Sequence, residues 1–246
     1  MKQLLHAFAM CQSMFCAIAC PWHIWNEKAR DKMLLFLPII GLEIGAIWAG
    51  LAYLARLIGL PALVTGVILC ACPFVLSGFI HLDGFLDVAD AAGSCRDLQR
   101  RREILKDPHV GSFAVIGCVL LMLAQYALFA SVPESADLRI LILIPVTSRC
   151  CSVLAVSVLR PMHTSQYAER KKSKGQICLI TVMLCVAVAA GFLFSGKYGF
   201  ALLGCLIGYG LALRRGYRSL DGMNGDISGY ALTVGELCAV AVFAFL

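Results

Sequence analysis

Charged side chains are scarce in this chain. Asp, Glu, Lys and Arg make up 15% of its 246 residues, hydrophobic types make up 60%, and the mean hydropathy is +0.83. That excludes an ordinary soluble domain, in which about a quarter of the residues are charged. Cysteine pairs spaced C-x₂-C are absent. The 13 cysteines are scattered through apolar stretches, and Cys150 and Cys151 adjoin. This excludes a disulfide framework and leaves buried thiols in a reducing setting. No inverted repeat is visible, which counts against a transporter. The formal charge of +6 is spread between apolar runs, so no basic face is offered to nucleic acid.

What the chain has instead is membrane-length apolar runs. A helix needs about 20 such residues to cross a bilayer. Candidate spans are 33–58, 61–80, 110–131, 139–159, 176–195, 198–213 and 229–246. The expected fold is therefore all-α: a polytopic integral membrane helical bundle of about seven transmembrane helices. The whole chain, 1–246, reads as one transmembrane unit. Lys2 and the apolar stretch to Cys20 imitate a signal peptide, but His6, Gln12 and Ser13 interrupt it. An N-terminal interfacial helix, or an uncleaved first span over residues 4–20, is expected there.

Alternate connections 26–32, 81–109, 160–175 and 214–228 carry sixteen Lys or Arg. The opposite side carries only Arg56, Arg139 and Lys197. Basic loops stay in the cytoplasm, so 81–109 is the main cytoplasmic connection. Eleven of the 15 acidic residues fall in the same four connections.

Among these, the run from His81 to Asp90 (His-Leu-Asp-Gly-Phe-Leu-Asp-Val-Ala-Asp) is singular. If it is helical, Asp83 and Asp87 are i,i+4 neighbours and Asp90 lies two turns from Asp83. Like charges on one face repel, and burial makes them costlier. A divalent cation reverses that cost. Oxygen donors suit Mg²⁺, which takes one or two carboxylates with waters and substrate phosphates. Asp83, Asp87 and Asp90 are thus candidate Mg²⁺ ligands, and His81 beside them is a candidate ligand or proton shuttle.

Other residues suit an anionic substrate. Lys106, Asp107 and Gly111 join a cation, a carboxylate and a glycine at the entry of a span. Arg149 lies inside a span, where its guanidinium needs a polar cavity or a partner. Its fork fits phosphate oxygens, and the alternative is an ion pair with Glu43 or Glu236. The glycine-rich turn from Asp221 to Gly229 opens the last span. There Gly225 and Asp226 are candidates for a cation or hydroxyl contact, with Glu236 about three turns further on. Arg96, Arg100, Arg101, Arg102 and Glu103 have the spacing of an amphipathic helix, and Arg101 and Arg102 read as its solvated face.

These residues together resemble the cobalamin synthase family, the adenosylcobinamide-GDP ribazoletransferases. The likeness is strongest from Gly78 to Gly111, over the His-Leu-Asp-Gly-x-x-Asp-x-x-Asp run, Glu103 and Lys106, Asp107 and Gly111. Pro38, Gly41, Gly45, Ser148-Arg149, Gly225-Asp226, Gly229 and Gly235-Glu236 follow in order, so it covers essentially the whole chain. The chain departs from the family pattern at Ala91, at Pro108-His109, at Thr233 and in a short, lysine-rich 160–175 connection.

The resemblance implies the last step of cobalamin nucleotide-loop assembly. A hydroxyl of α-ribazole, or of its 5′-phosphate, attacks adenosylcobinamide-GDP and displaces GMP. It implies Mg²⁺ on Asp83, Asp87 and Asp90; His81, Asp90 or Asp226 as base; and Lys106, Asp107, Gly111, Arg149, Gly225 and Glu236 as substrate contacts. It implies the bacterial cytoplasmic membrane, surrounding lipid, a site facing the cytoplasm and room for a homo-oligomer. A lipid head-group enzyme of the CDP-alcohol phosphotransferase type is the nearest rival, and an ion or metal transporter the next.

Overall fold

The computed structural model describes residues 2–22, 25–162, 165 and 173–246. Arg170, Lys171 and Lys172 of the 160–175 connection lie outside them. The protein is 79% helical, with no strand among the described residues. The N-terminal part comprises α1 (Lys2–Phe15), α2 (Glu27–Met33), α3 (Leu37–Leu57) and α4 (Ala62–Leu76). Then come α5 (Ile80–Gly93), α6 (Leu98–Ile104), α7 (Ser112–Ala130) and α8 (Ile140–Val158). The chain closes with α9 (Lys174–Ser195), α10 (Phe200–Leu220) and α11 (Gly225–Ala244).

Among the described residues, five stretches are long and apolar enough to cross a membrane, or six if α4 and α5 form one broken span. Helices that are apolar all round belong in lipid. Accordingly Val115, Val119, Leu123, Val182, Val186 and Leu193 point outward on α7 and α9. The longest stretch, Lys174–Leu220, has 47 residues and contains α9 and α10 about the turn Gly196–Gly199. The two helices run in opposite directions. Lys197, at that turn, donates to the carbonyl of Leu246, while Leu220 at the far end of α10 accepts from Arg102. α1 is only about 21 Å long at 1.5 Å per residue, too short to cross alone. It packs Ala7, Met10, Cys11 and Phe15 into a core shared with α3, α8 and α9.

The expected span 61–80 and connection 81–109 need correction. α4 has 15 residues, about 22 Å, and stops short of the ~30 Å hydrocarbon thickness. At Gly78 (φ 60°) and Phe79 (φ 62°) the backbone turns left-handed, and α5 leaves at 93° to α4. A bulky residue rarely adopts that conformation. Residues 80–93 are therefore a helix packed into the bundle. His81, Gly84, Phe85, Val88 and Ala91, spaced at helical intervals, form its buried face.

α5 meets α11 backbone to backbone. A Cβ on Gly84 would lie 2.9 Å from Cα of Asp226, and one on Gly229 would lie 3.1 Å from the carbonyl oxygen of His81. Only glycine permits this approach, which sets Asp226 beside the acidic helix. Arg56 donates to the carbonyl of Ala136, and Arg139 pairs with Asp137 at 2.6 Å.

Candidate active site

α5 separates two cavities. The larger, about 270 Å³, is lined by Asp83, Asp87 and Asp90 from α5 and by Lys106, Asp107 and Gly111 from the loop before α7. Five of these six were picked out by residue type, and Gly111 by its place at a span entry. Gly111 lies so close to Asp90 that a Cβ there would collide with the carboxylate. Asp107 accepts from the backbone N–H of His109 (3.0 Å) and lies 2.7 Å from its Nδ1. Those contacts hold the Asp107 carboxyl below the usual carboxylate range, the backbone donor contributing most.

The smaller cavity, about 90 Å³, is lined by His81, Asp83, Gly225 and Asp226 among others. Asp83 borders both. Asp226 stands in the first turn of α11, where negative charge suits the helix dipole. Asn224 caps that helix by accepting from the N–H of Ile227 (3.0 Å), and its Nδ2 donates to Asp226 (2.6 Å). The like charges of Asp83, Asp226 and Asp90 are all felt at Asp87. None of these four carboxylates forms a salt bridge among the described residues.

Nor do any three His, Cys, Asp or Glu side chains converge closely enough to enclose an ion among the described residues. The aspartates line a wall; they do not close a cage. A Mg²⁺ site built from them would use two carboxylates at most, with water and phosphate filling the remaining positions.

Arg149 and Glu236, both expected to touch substrate, instead satisfy each other. Arg149 is 1% exposed, and its Nη1 donates to Glu236 Oε1 (2.7 Å), to the carbonyl of Pro145 (3.2 Å) and to Ser148 Oγ (3.3 Å). Ser148 donates to the same Glu236 oxygen at 2.7 Å. The pair lines neither cavity. A buried cation needs a matching anion, and Glu236 meets that need from the facing helix. Glu43, the other acid considered, instead accepts from Gln12 on α1 at 3.2 Å.

Three features escaped the sequence reading. Arg102, read as solvated, reaches the end of α10, where it donates to the carbonyls of Leu220 (3.0 Å) and Asp221 (2.9 Å). These are the acceptors a helix terminus leaves unmet. Arg160 joins it on Asp221 at 2.5 Å. Phe15 stacks on His81, with ring centroids 6.0 Å apart and planes at 13°, and Ser152 faces the smaller cavity. The positive φ of Asp221 (52°) fits an Asp next to a glycine. The other contacts are long-range and leave no local signal.

The family described as cobalamin-5-phosphate synthase matches residues 7–244. The chain belongs to this family. The adenosylcobinamide-GDP ribazoletransferase of Clostridium perfringens is 32% identical over 251 residues, covering all of both chains. That of Clostridium botulinum is 29% identical over 243 residues, 96% of each. That of Corynebacterium diphtheriae is 28% identical over 231 residues, 89% of this chain and 84% of its own. No solved structure matches. In this chain the α5 carboxylates and the loop from Lys106 to Gly111 share one cavity, while the buried Arg149–Glu236 pair does not line it.

Proposed function

We propose that the chain joins adenosylcobinamide-GDP to α-ribazole, or to its 5′-phosphate, and releases GMP, completing the cobalamin nucleotide loop. The observation that carries this reading is the row of unpaired aspartates on α5, which faces Lys106 across one cavity in a chain matched nearly end to end by the ribazoletransferases. Carboxylates without cations are costly in a half-enclosed cavity. A substrate diphosphate arriving with divalent cations relieves that cost.

The donor set suits Mg²⁺, being oxygen alone. Two of Asp83, Asp87 and Asp90 would hold it with the substrate's phosphates. When bound, it would neutralise charge on the phosphoryl oxygens. The protein's own groups do the rest. Lys106 and the half-buried backbone at Gly111 bind phosphate oxygens, and the Asp90 carboxylate packs against that backbone. The hydroxyl oxygen forms a bond to the phosphorus attached to the corrinoid, and the bond to GMP breaks. Asp226, beside Asp83 on the smaller cavity, accepts the hydroxyl proton.

The distribution of Lys and Arg supports a site opening to the cytoplasm from the cytoplasmic membrane. The test is GMP release by detergent-purified protein supplied with adenosylcobinamide-GDP and α-ribazole over a Mg²⁺ titration. Release that needs both substrates and Mg²⁺ is expected. No release at any Mg²⁺ concentration overturns the proposal, and turnover of CDP-diacylglycerol in its place would favour the lipid head-group rival.

A further inference from the structure

We propose that the smaller cavity is the pocket for the heterocyclic base of the attacking nucleoside, with its sugar reaching out past Asp83 to the carboxylate wall. The proposal rests on the transferase reading above and deepens it by assigning one substrate to one chamber.

The walls set the chemistry. Phe15 of α1, Leu37 of α3, Ile80 of α5, and Val153 and Val156 of α8 make most of the inner surface apolar. Set into that surface are two buried polar atoms with no hydrogen-bond partner, His81 Nε2 and Ser152 Oγ. The hydroxyl of Tyr209 lies toward Ser152 and also makes no hydrogen bond of normal geometry. Buried polar atoms in folded proteins are nearly always paired, by protein, water or ligand. A cavity of about 90 Å³ has room for about three waters, and each would need two to four polar partners. Asp83, Asp226, Ser152 and Ser228 supply partners elsewhere in the wall, but the His81 ring lies against the apolar Phe15. A flat ligand with apolar edges and a single hydrogen-bonding atom suits that end better.

This composition discriminates between the substrates. Guanine presents several donors and acceptors along its edges, and beyond Ser152, Ser228 and the carboxylates of Asp83 and Asp226 the wall would leave them unmet. A corrinoid is far too large for this volume. A benzimidazole-type base on a ribose has apolar edges and one free ring nitrogen, an acceptor that Ser152 Oγ–H or His81 Nε2–H can donate to. The cavity takes the ring end-on, and the remainder of the nucleoside extends through the open side. Asp83 and Asp226 both line this cavity, and Asp83 also borders the larger one. The base is thereby anchored in the smaller cavity while the hydroxyl is held beside Asp226 and Asp83, the residue that borders both cavities. Phe15 is a positioning residue, since it holds the His81 ring by stacking.

The test uses full-length protein in detergent and two variants outside the carboxylate wall, Ser152→Ala and Val156→Phe. KM is measured separately for α-ribazole and for adenosylcobinamide-GDP, binding of α-ribazole alone is measured by calorimetry without divalent cations, and thermal melting is followed for each protein. The expected result is a rise in the α-ribazole KM of about fivefold for Ser152→Ala, the loss of one hydrogen bond, and a larger rise for Val156→Phe, with the corrinoid KM unchanged. Should Val156→Phe melt early, Ser152→Ala decides. A wild-type enzyme that turns over while both variants match its α-ribazole KM overturns the pocket and leaves it holding water. A rise confined to the corrinoid KM also overturns it. Wild-type protein that neither binds α-ribazole nor releases GMP defeats the transferase reading itself.

Discussion

Two groups of ionisable side chains lie inside this apolar bundle, and the fold treats them in opposite ways. On α8 and α11, Arg149 and Glu236 neutralise each other, and Ser148 and the carbonyl of Pro145 complete the network. On α5, Asp83, Asp87 and Asp90, with Asp226 nearby, carry one sign of charge, border open cavities and have no salt-bridge partner among the described residues. Both groups interrupt helices that lipid would rather see apolar, and both include residues that substrate recognition would use. The closed group supports the architecture. The open group carries one sign of charge and has no opposing side chain in a salt bridge among the described residues.

That contrast can be broken by experiment, most forcefully at the closed group. Glu236→Gln strands a buried guanidinium and is expected to cost about 3–5 kcal/mol, read as early thermal unfolding in detergent. Replacing both Arg149 and Glu236 by Met should recover most of the loss. Wild-type melting of Glu236→Gln would show that the pair does not support the fold.

The open group should respond in the reverse manner. Asp83→Asn and Asp87→Asn are expected to lower transfer by about 10²-fold or more. Without divalent cations they should melt no earlier than wild type, because each removes a like-charge repulsion. Full transfer by both variants would take these residues out of the reaction. Gly111→Ala drives a methyl into the Asp90 carboxylate and is expected to cost about tenfold in transfer, with KM and kcat measured apart to separate phosphate binding from chemistry. The smallest effect belongs to Asp221→Asn. Its side chain is 54% exposed, so losing Arg102 and Arg160 as charge partners should cost less than about 1 kcal/mol. Asn also tolerates the left-handed backbone there. A large loss would mean that this exposed clamp holds α6 to α10 more firmly than such pairs do.

The same contrast explains what was legible in the sequence. The all-α membrane architecture follows from apolar runs, and the acidic row from its i,i+4 and i,i+7 spacing, because both are local properties of the chain. The pairing of Arg149 was not decidable in that way. Glu43 and Glu236 were equally eligible on spacing, and the choice depends on α11 lying against α8 while Gln12 of α1 occupies Glu43. The end of α4 was missed for a related reason. Hydropathy continues through Ile80, so an apolar window overlooks a turn made by two left-handed residues, one of them a phenylalanine. Arg102 read as solvated because nothing within a few positions reveals a carbonyl contributed by residue 220.

The right-angle turn at Gly78 and Phe79 also sets how the acidic groups of α5 are laid out relative to α4. A helix continuing straight from α4 would have spread its acidic groups over about 10 Å of membrane thickness. Laid crosswise, α5 brings them to a common level, like rungs turned on their side. An elongated substrate can then be gripped at several points without sinking any of its charged groups further into the hydrocarbon than the rest.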